Sequence, residues 1–509
     1  MKISRATVCL CVAIVIALAG LGCGSGSSTS QPVGAVAATS HPLVAQYTIS
    51  HFNSGLSAWV EFGTDTNYGR QTSAVTSSSG GKLNVLVAGM LPQTAYHMRA
   101  HASWPGGTWV DQDQTFTTGA LPGTSAAPQF ATFSVSTPTA GLSPAPGVEL
   151  LSLATQAGSG MIADVVTDTK GRVIWYCPQA GLPIKPMPNG HYMAVVGTDV
   201  LELDLACNPI RDISLTQMDQ SLQAKGYSFP PLNVFHHDTL VLPNGHWILL
   251  SQVTTNFTDL PGYPGTTGVL GDVLLDVDPS GNVAWAWSSF DQIGKGLDIN
   301  RHPFGLPDWT HSNAIVYTTD GNLLLSMRNQ SWVLKIDYAN GSGSGNISWR
   351  LGNSGDFTLL GGDPSQWFYG QHYPNVLSVN GSTTNLAVFD DGNYRPDSNG
   401  VECSSSATAP HCYTRATIFQ IDESTNVATL QWQYLPGFYT FWGGSIDVLS
   451  NGDVEFDSSD PNPAVTGSPI IEVTQTDSPQ VVWQMNITGA FAYRGYRIPS
   501  LYPGVTWKQ

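Results

Sequence analysis

The sequence is most unusual in how few charged residues it has. Only 11% of its 509 residues are Asp, Glu, Lys or Arg, against about 25% in an ordinary soluble domain. Cations are the scarcer kind: 20 Lys and Arg stand against 37 Asp and Glu, which gives a net charge of −17. This balance argues against a nucleic-acid-binding surface. A site for an anionic substrate must therefore be locally cationic within an acidic molecule.

Long apolar runs are scarce beyond the first 23 residues, and no long amphipathic helix is evident. The 41% apolar content is enough for a large core, so wholesale disorder is excluded. With 53 glycines and 33 prolines, the chain favours short strands and frequent turns over long helices. We therefore expect an all-β protein whose mature form has no transmembrane segment.

Residues 1–23 have the pattern of an export signal. Their apolar run, Val8–Ala19, follows a basic start and is too short to span a membrane comfortably. Two processing sites remain open. Cleavage could follow Ala17–Ala19, or a lipoprotein box at Gly20–Cys23 could place a lipid anchor on Cys23. Either alternative predicts an exported protein, in the periplasm or at the cell surface.

Cysteines are few: seven in all, of which three belong to the leader region. The four that remain are an even number, which suits an oxidising compartment. Cys403 and Cys412 bracket a short loop and could close it as a disulfide, which leaves Cys177 to pair with Cys207. The sequence alone does not settle this pairing. None of the four has the paired spacing of a zinc site.

Composition and alternation divide the rest of the chain. A Ser- and Ala-rich tether is expected over 24–42, a small β domain over 43–119, and a linker over 120–131. The small domain alternates apolar and polar residues with period two. Its Leu91–Tyr96 stretch resembles the strand pair around a buried tyrosine in fibronectin type III domains, which predicts an immunoglobulin-like β-sandwich. The pattern of 132–509 is different and repetitive.

One phrase recurs along this second part: an apolar strand, an Asn-Gly or Asp-Gly turn, and another apolar strand, which is a hairpin signal. The turns are Asn189-Gly190, Asn244-Gly245, Asp320-Gly321, Asn380-Gly381 and Asn451-Gly452. Further hairpins end in a tryptophan strand, at Trp175, Trp285, Trp349, Trp432 and Trp483. The stretch Leu201–Ile213 has the same hairpin shape without a tryptophan, which makes six units. Two hairpins per unit predict a six-bladed β-propeller.

Three histidines, His237, His311 and His372, stand just before the inner strand of successive units. In a propeller the inner strands line a central channel, so these side chains are expected to converge. A lone histidine is more often a satisfied structural group, but three at one recurring place favour a shared site. Arg328 follows on the next strand out from His311, where a guanidinium would suit a tetrahedral anion.

Two chemistries fit several imidazoles and a guanidinium. Three histidines could hold a zinc ion. Alternatively, a neutral imidazole could attack sulfur or phosphorus while the other groups stabilise negative charge on the oxygens. Histidine suits this role near neutral pH because its ordinary pKa is about 6.5. The residue types by themselves leave both possibilities open.

Several stretches together resemble the bacterial arylsulfotransferase family, the PAPS-independent arylsulfate sulfotransferases. The stretches that carry the resemblance are 235–245, 308–337, 371–381, 389–393, 414–422 and 493–502. The family implies a six-bladed propeller and a ping-pong reaction that uses no cofactor. An aryl sulfate gives its sulfuryl group to a histidine, and a second phenol then accepts the group. The position that matches the nucleophile is His372; His237 and His311 match supporting histidines, and Arg328 matches the arginine that binds sulfuryl oxygens.

Four residues are candidates for substrate binding: Asn313, His236, Tyr373 and Tyr493. Asn313 shares a strand face with His311 and could donate a hydrogen bond to an oxygen. His236 adjoins His237, and strand alternation lets only one of the two side chains point inward. The sequence motif around them favours His237. Tyr373 stands where the family usually has Asp, so the acceptor pocket is expected to differ.

Other residues are expected near the site or among the residues that support it. An aromatic rim is expected from Phe235, Trp309, Tyr373, Phe438, Tyr439, Phe441 and Trp442. Arg494 is a further candidate, whereas Arg415 is equally well explained as a structural ion-pair partner.

The leading hypothesis is an exported aryl sulfotransferase that acts on small aryl sulfates and phenols. A non-catalytic propeller that binds glycan or protein is the alternative, and a metal-dependent hydrolase is the third. Binding propellers have no reason to gather His237, His311, His372 and Arg328 at one place. The physiological donor and acceptor, and whether the protein is a homodimer, stay open.

Overall fold

The computed structural model describes residues 31–52, 55–124, 127–156, 159–179, 181–403, 409–462 and 467–507. The predicted export signal and Cys23 lie outside these residues. Almost all regular structure in the described ranges is β-strand, which confirms the all-β expectation. Within them, no helix is long and apolar enough to cross a membrane.

The N-terminal domain consists of two small antiparallel sheets. Its strands are β1 (Val33–Ala38), β2 (Ala45–Ser50), β3 (Leu56–Gly63), β4 (Arg70–Gln71), β5 (Val75–Ser77), β6 (Lys82–Val87), β7 (Ala95–Trp104), β8 (Gly107–Val110) and β9 (Gln114–Thr117). One sheet has the order β1-β2-β6, and the other is built around the pair β3 and β7. Buried and part-exposed residues alternate along β2, β3 and β7, as the period-two pattern predicts.

This domain begins earlier than the sequence suggests. Strand β1 lies inside 24–42, where a tether is expected, and pairs along its whole length with β2, from Val33 opposite Ser50 to Ala38 opposite Ala45. The stretch lacks the strong hydrophobic alternation that marks a strand because it lies at a sheet edge with mostly exposed side chains. Its backbone hydrogen bonds, rather than its side chains, place it in the sheet.

The remaining strands follow a two-stranded ribbon of β10 (Gly123–Thr124) and β11 (Ala127–Pro128). The next are β12 (Thr132–Ser136), β13 (Val148–Ala154), β14 (Asp164–Asp168), β15 (Val173–Cys177), β16 (Ile184–Pro186), β17 (Tyr192–Val196), β18 (Asp199–Leu203), β19 (Pro209–Ser214), β20 (Val234–Val241), β21 (Trp247–Leu260), β22 (Tyr263–Val277) and β23 (Val283–Ser288). Helix α1 (Leu215–Lys225) lies between β19 and β20; Ser214 caps its start and Gly226 its end.

The C-terminal half continues the same pattern. Its strands are β24 (Ser312–Tyr317), β25 (Leu323–Met327), β26 (Trp332–Ile336), β27 (Ile347–Leu351), β28 (Thr358–Leu359), β29 (His372–Asn380), β30 (Thr383–Asp390), β31 (Arg415–Asp422), β32 (Val427–Tyr434), β33 (Tyr439–Thr440), β34 (Ile446–Val448), β35 (Val454–Asp457), β36 (Pro461–Asn462), β37 (Ser468–Val473), β38 (Val481–Thr488) and β39 (Phe491–Ile498). Short 3₁₀ turns occupy Ser289–Gln292, Arg328–Gln330, Ala339–Gly341 and Pro364–Gln366.

Within the described residues, most of these strands form sheets of four or five members, and β33 pairs with β36 in a two-stranded sheet. The sheet orders are β39-β13-β14-β15, β16-β17-β18-β19, β20-β21-β22-β23, β24-β25-β26-β27, β29-β30-β31-β32-β28 and β34-β35-β37-β38-β12. The first strands β20, β24 and β29 of three successive sheets are neighbours. Strand β39 from the end of the chain pairs with β13, and β12 pairs with β38. Both ends of this region are thus hydrogen-bonded into the same two sheets.

The predicted turns are confirmed where the sequence is most explicit. Each of the five Asn-Gly or Asp-Gly pairs joins the first strand of a sheet to its second strand. The turn glycines have positive φ, for example 83° at Gly245 and 81° at Gly321, a conformation that a residue with a Cβ adopts at a cost. Each of the five tryptophans lies on an outer strand: β15, β23, β27, β32 or β38.

The N-terminal domain and the second region share a core. Buried residues of β2, β3 and β7 belong to the same apolar cluster as Trp175, Tyr192 and Trp507. The indole of Trp507 donates to Gln71 O at 2.9 Å, and the Tyr502 hydroxyl donates to Leu86 O at 2.9 Å. The C-terminal segment therefore fastens the small domain to the larger one.

Both expected disulfides are present. Cys177 is bonded to Cys207 and Cys403 to Cys412, with Cα–Cα distances of 5.7 and 5.3 Å. These distances are ordinary for disulfides.

Candidate active site

The candidate residues stand where three neighbouring strands depart from regular β geometry. His237 and His311 have φ of 58° and 48°, and the strand register shifts beside each of them. In β29 the residue with this conformation is Tyr373, with φ of 45°, and the register shifts just after His372. Such bulges re-aim side chains and are often found next to active sites.

This geometry corrects one expectation. In backbone conformation, Tyr373 corresponds to His237 and His311, and His372 corresponds to the residue before each of them. The three histidines are therefore offset by one residue rather than strictly equivalent, because the bulge falls at a different point relative to each imidazole. They nevertheless face a common centre.

The imidazoles gather around the Tyr493 ring. The rings of His237 and His311 are 4.6 Å apart and meet edge to face. The Tyr493 ring lies 5.9 Å from that of His237 and 6.5 Å from that of His372. Residues more than a hundred positions apart in sequence are thus brought into one cluster, as expected from the sequence.

His372 is held by a carboxylate. Its Nδ1 lies 2.7 Å from Asp391 Oδ2, and the two side chains are only 2% and 0% exposed. Its Nε2 accepts a 3.3 Å hydrogen bond from the Gly443 N–H. Because Nε2 accepts this bond, its lone pair lies there and the ring proton belongs on Nδ1, which donates to Asp391 Oδ2. Burial raises the pKa of Asp391 well above its ordinary value, and the nearby charge of Arg328 opposes this shift. Burial, together with the nearby charges of Arg494 and Arg328, lowers the pKa of His372 well below its ordinary value, so this imidazole is neutral.

Arg328 lies at the start of the 3₁₀ turn that follows β25 and is almost fully buried. Its guanidinium donates to Asn329 Oδ1 and Asn393 Oδ1, both at 2.9 Å, and to Phe441 O at 2.7 Å. No carboxylate forms an ion pair with it in the described part of the chain, and its buried Nε has no hydrogen-bond partner. A buried cation paired only with neutral oxygens is suited to receive an anion.

The other two histidines differ in their surroundings. His311 Nδ1 lies 2.5 Å from Asp308 Oδ2, and 28% of its side chain is exposed. Burial and then the neighbouring His311 and His236 lower the pKa of His237 well below its ordinary value. His236 turns its Nε2 toward the buried Asp272, at 3.4 Å from Oδ1. The ring of His237, and not that of His236, packs against the ring of His311, as the sequence motif around them indicated.

Two of the remaining candidates have structural partners. The buried Asn313 amide donates to Gln371 O at 2.8 Å, and its Oδ1 has no partner. One of the two N–H groups of this amide is therefore engaged by the backbone. Tyr373 is half-buried, and its ring lies 5.5 Å from that of Tyr496. Of the four binding candidates, Tyr493 contacts the rings of both His237 and His372, whereas the His236 ring contacts that of His237, at 4.8 Å.

The aromatic rim is composed differently from what the sequence suggested. Phe235, Trp309, Phe438 and Tyr439 are buried, whereas Tyr373, Phe441 and Trp442 are half-buried. Two unexpected rings, Phe304 and Tyr394, pack against each other at 4.3 Å. The Arg328 Cζ lies 5.0 Å from the Phe304 ring and 5.3 Å from the Phe441 ring. Phe304 and Tyr394 belong to loops between strands, where no periodic pattern marks them.

Arg415 is a structural ion-pair partner, which was one of the two interpretations of this residue from the sequence. Its Nε lies 2.6 Å from Asp390 Oδ2, and Arg395 Nη2 lies 2.5 Å from the same oxygen, with all three side chains fully buried. These two arginines therefore belong to the frame behind Asp391. Across the described ranges, no group of three His, Cys, Asp or Glu side chains is placed to hold a metal ion.

The fold and site together define a β-sheet protein with a buried cluster of histidines and arginine. The arylsulfotransferase (ASST) family profile matches residues 148–497, and the chain belongs to this family. The match covers the strands that supply His237, His311, Arg328 and His372.

Similarities to other proteins are remote. The sequence matches no curated protein. A Bacteroides caccae protein of unknown function has a TM-score of 0.40 and 12% identity, over 69% of this chain and all of that one. A streptogramin B lyase has a TM-score of 0.31 and 10% identity, over 70% of this chain and 98% of that one. Cobalt-substituted Synechocystis ACO has a TM-score of 0.30 and 11% identity, over 92% of this chain and 96% of that one. These structural similarities are too low to bear on function.

Proposed function

We propose that the protein transfers a sulfuryl group from an aryl sulfate to a phenol through a covalent sulfohistidine at His372. The observation that carries the proposal is that a neutral imidazole oriented by Asp391 lies near Arg328, a buried cation with no carboxylate in an ion pair among the described residues. One group is a nucleophile and the other a receptor for its anionic target. We place this site on the axis of a six-bladed propeller.

In the first half-reaction, His372 Nε2 attacks the sulfur of the aryl sulfate. The N–S bond forms as the bond from sulfur to the aryl oxygen breaks, and the phenolate leaves with that electron pair. Sulfuryl transfer resembles phosphoryl transfer, in which positioning and charge stabilisation supply most of the catalysis. Arg328 would stabilise the sulfuryl oxygens. The Gly443 N–H, already directed at Nε2, would donate to one of them.

A proton must reach the leaving phenolate, and His311 is the better donor of the two supporting histidines. The lowered pKa of His237 keeps that ring neutral, whereas His311 is partly exposed, within reach of solvent, and its Nδ1 contacts Asp308, so its Nε2 is the better placed to exchange a proton with the phenol. In the second half-reaction His311 takes the proton from the acceptor phenol. The phenol oxygen attacks sulfur, the N–S bond breaks, and His372 is restored.

We also propose that the protein is exported, either lipid-anchored at Cys23 or cleaved after Ala19, to the periplasm or the cell surface. The two disulfides support an oxidising compartment.

The test is incubation with p-nitrophenyl sulfate, with and without phenol, while nitrophenol release is followed. Acceptor-dependent release is expected, and intact-mass analysis should detect the sulfated enzyme after donor alone. His372→Asn should lose both signals. His246→Asn, a half-buried histidine on a hairpin away from the cluster, should keep both. Release without any need for an acceptor would indicate a sulfatase, and no release would favour a binding propeller; either result overturns the proposal.

A further inference from the structure

A second buried arginine, Arg494 on β39, adjoins the histidine cluster. Five arginines of the described residues are less than 9% exposed: Arg328, Arg395, Arg415, Arg494 and Arg497. Three of them, Arg395, Arg415 and Arg497, form ion pairs with carboxylates. Among the ion pairs of the described chain, none involves Arg494 or Arg328. Two unneutralised guanidiniums thus flank one site, and the proposed reaction uses only one of them.

The hydrogen bonds of Arg494 distinguish its role from that of Arg328. Its Nη1 donates to Gly444 O and, at 3.3 Å, to Tyr493 O. Its Nη2 donates to Asn313 O at 3.0 Å and to the Tyr493 hydroxyl at 3.3 Å. The four N–H groups of the two terminal nitrogens therefore all have acceptors within the chain. Arg494 has no terminal N–H left for a sulfuryl oxygen, so it is not a substrate ligand.

These four bonds connect three separate parts of the site. The acceptor on Asn313 belongs to the inner strand that follows His311, and Gly444 adjoins Gly443, whose N–H meets His372 Nε2. The Arg494 Cζ also lies 4.4 Å from the Tyr493 ring and 5.2 Å from the Tyr373 ring. The Tyr493 ring in turn contacts the rings of His237 and His372. The cation is therefore fixed beside the nucleophile by bonds to β24, to its own strand β39 and to the segment before β34.

We infer that Arg494 is a positioning residue of the proposed sulfuryl transfer, which cross-links the inner strands around the nucleophile and supplies a fixed positive charge that keeps His372 unprotonated. This inference rests on the proposed function. The charge effect agrees with the lowered pKa of His372, for which burial is the larger cause and Arg494 the next. Besides Arg494, the charged and titratable groups around His372 are Asp391, Arg328, His237, His311 and Tyr493. Those that face Arg494 are Tyr373, Tyr493, Tyr496, Asp238 and Asp457.

Two substitutions separate the two parts of this role. Arg494→Met removes the charge, so His372 should stay protonated to higher pH. In the pH profile of kcat/KM, the acid limb should then move to higher pH by about one unit or more. Arg494→Lys keeps a charge but cannot serve four acceptors, so kcat should fall about tenfold while the limb stays in place. Arg172→Met, on an exposed outer turn, is the matched control and should change neither quantity.

A merely structural role predicts a different result. If both variants lose activity in step with their thermal stability and the acid limb does not move, the inference is wrong. A shifted limb in Arg494→Lys would also overturn it, so the test does not depend on folding of the methionine variant. Histidine-labelled NMR titration, with the His372 signal assigned from His372→Gln, measures the same shift without turnover. Because this titration needs no turnover, it tests the role of Arg494 even if the wild-type protein transfers no sulfuryl group.

Discussion

The Nδ1 atom of His372 lies 2.7 Å from Oδ2 of Asp391, in a site where neither side chain has appreciable contact with solvent. The carboxylate fixes the tautomer of the ring and hence the direction of its lone pair. The same Asp391 adjoins Asp390, which is clamped by Arg395 and Arg415. The orientation of the imidazole thus depends on a rigid ionic frame directly behind it.

Asp391→Asn should lower kcat by about 100-fold or more, because an amide can donate to Nδ1 and move the ring proton to Nε2. The effect should appear in donor-only formation of the sulfated enzyme, followed by rapid-quench mass spectrometry. Asp276→Asn makes the same change in the His246–Asp276 pair, which has the same 2.7 Å separation but joins the β20–β21 turn to β22, away from the histidine cluster. It should leave the rate unchanged. Equal rates for Asp391→Asn and wild type would contradict the assigned orientation.

Arg328 should be essential as a guanidinium and not only as a charge. Arg328→Leu should reduce kcat by on the order of 10²-fold or more. Arg328→Lys should lose about tenfold or more, because an ammonium cannot reproduce the planar contacts to Asn329, Asn393 and Phe441 O. Steady-state kinetics with nitrophenyl sulfate measure both changes, and Arg172→Lys is the control. A lysine variant with full activity would show that charge alone is sufficient.

The hairpins of this fold could be predicted from sequence because the signal is local. An Asn-Gly pair between apolar strands specifies a turn whatever surrounds it, and all five such pairs are turns in the structure. The convergence of His237, His311 and His372 followed from their recurrence at inner strands. The turns depend only on neighbouring residues, and the convergence of the histidines depends only on inner strands lining a central channel.

The offset of His372 and the identity of its partners could not be predicted in this way. The bulge that re-aims Tyr373 depends on pairing between β29 and β30, and periodicity does not reveal where a register shifts. Asp391 follows an apolar strand in a short acidic pair, a signal that could have marked it. Gly443 and Phe304 approach the site from loops of irregular length, so only the folded chain brings them there.

Phe304 should contribute to binding of the aryl ring. Its ring lies beside the Arg328 guanidinium and packs against Tyr394, so a ring attached to a sulfuryl group at Arg328 would lie against it. Phe304→Leu should raise KM for nitrophenyl sulfate about tenfold with a smaller change in kcat. Phe229→Leu, in a half-buried ring pair with Tyr227 at the outer edge, should leave KM unchanged. If both variants behave alike, Phe304 has no part in substrate binding.

Asp457 should make the stability of the fold depend on pH near neutrality. The side chain is fully buried, its Oδ1 accepts from the Gly495 N–H at 3.1 Å, and its Oδ2 has no partner. Burial raises its pKa to about 7, while hydrogen bonding to Ser445 and the charge of Arg494 oppose this shift. The folded protein therefore binds this proton more tightly than the unfolded chain does, whose carboxyl titrates near 4.

It follows that this contribution is complete below pH 4 and is lost as the pH rises through 7. Between pH 5.5 and pH 8 the free energy of unfolding should fall by about 2 kcal/mol. Urea unfolding of wild type and Asp457→Asn at several pH values measures this slope. The variant cannot ionise at this position, so its slope should be flatter by that amount whatever its absolute stability. Asp453→Asn, on an exposed turn, should keep the wild-type slope. Identical slopes for wild type and Asp457→Asn would mean that Asp457 is already ionised in the folded protein, with Arg494 as the compensating charge.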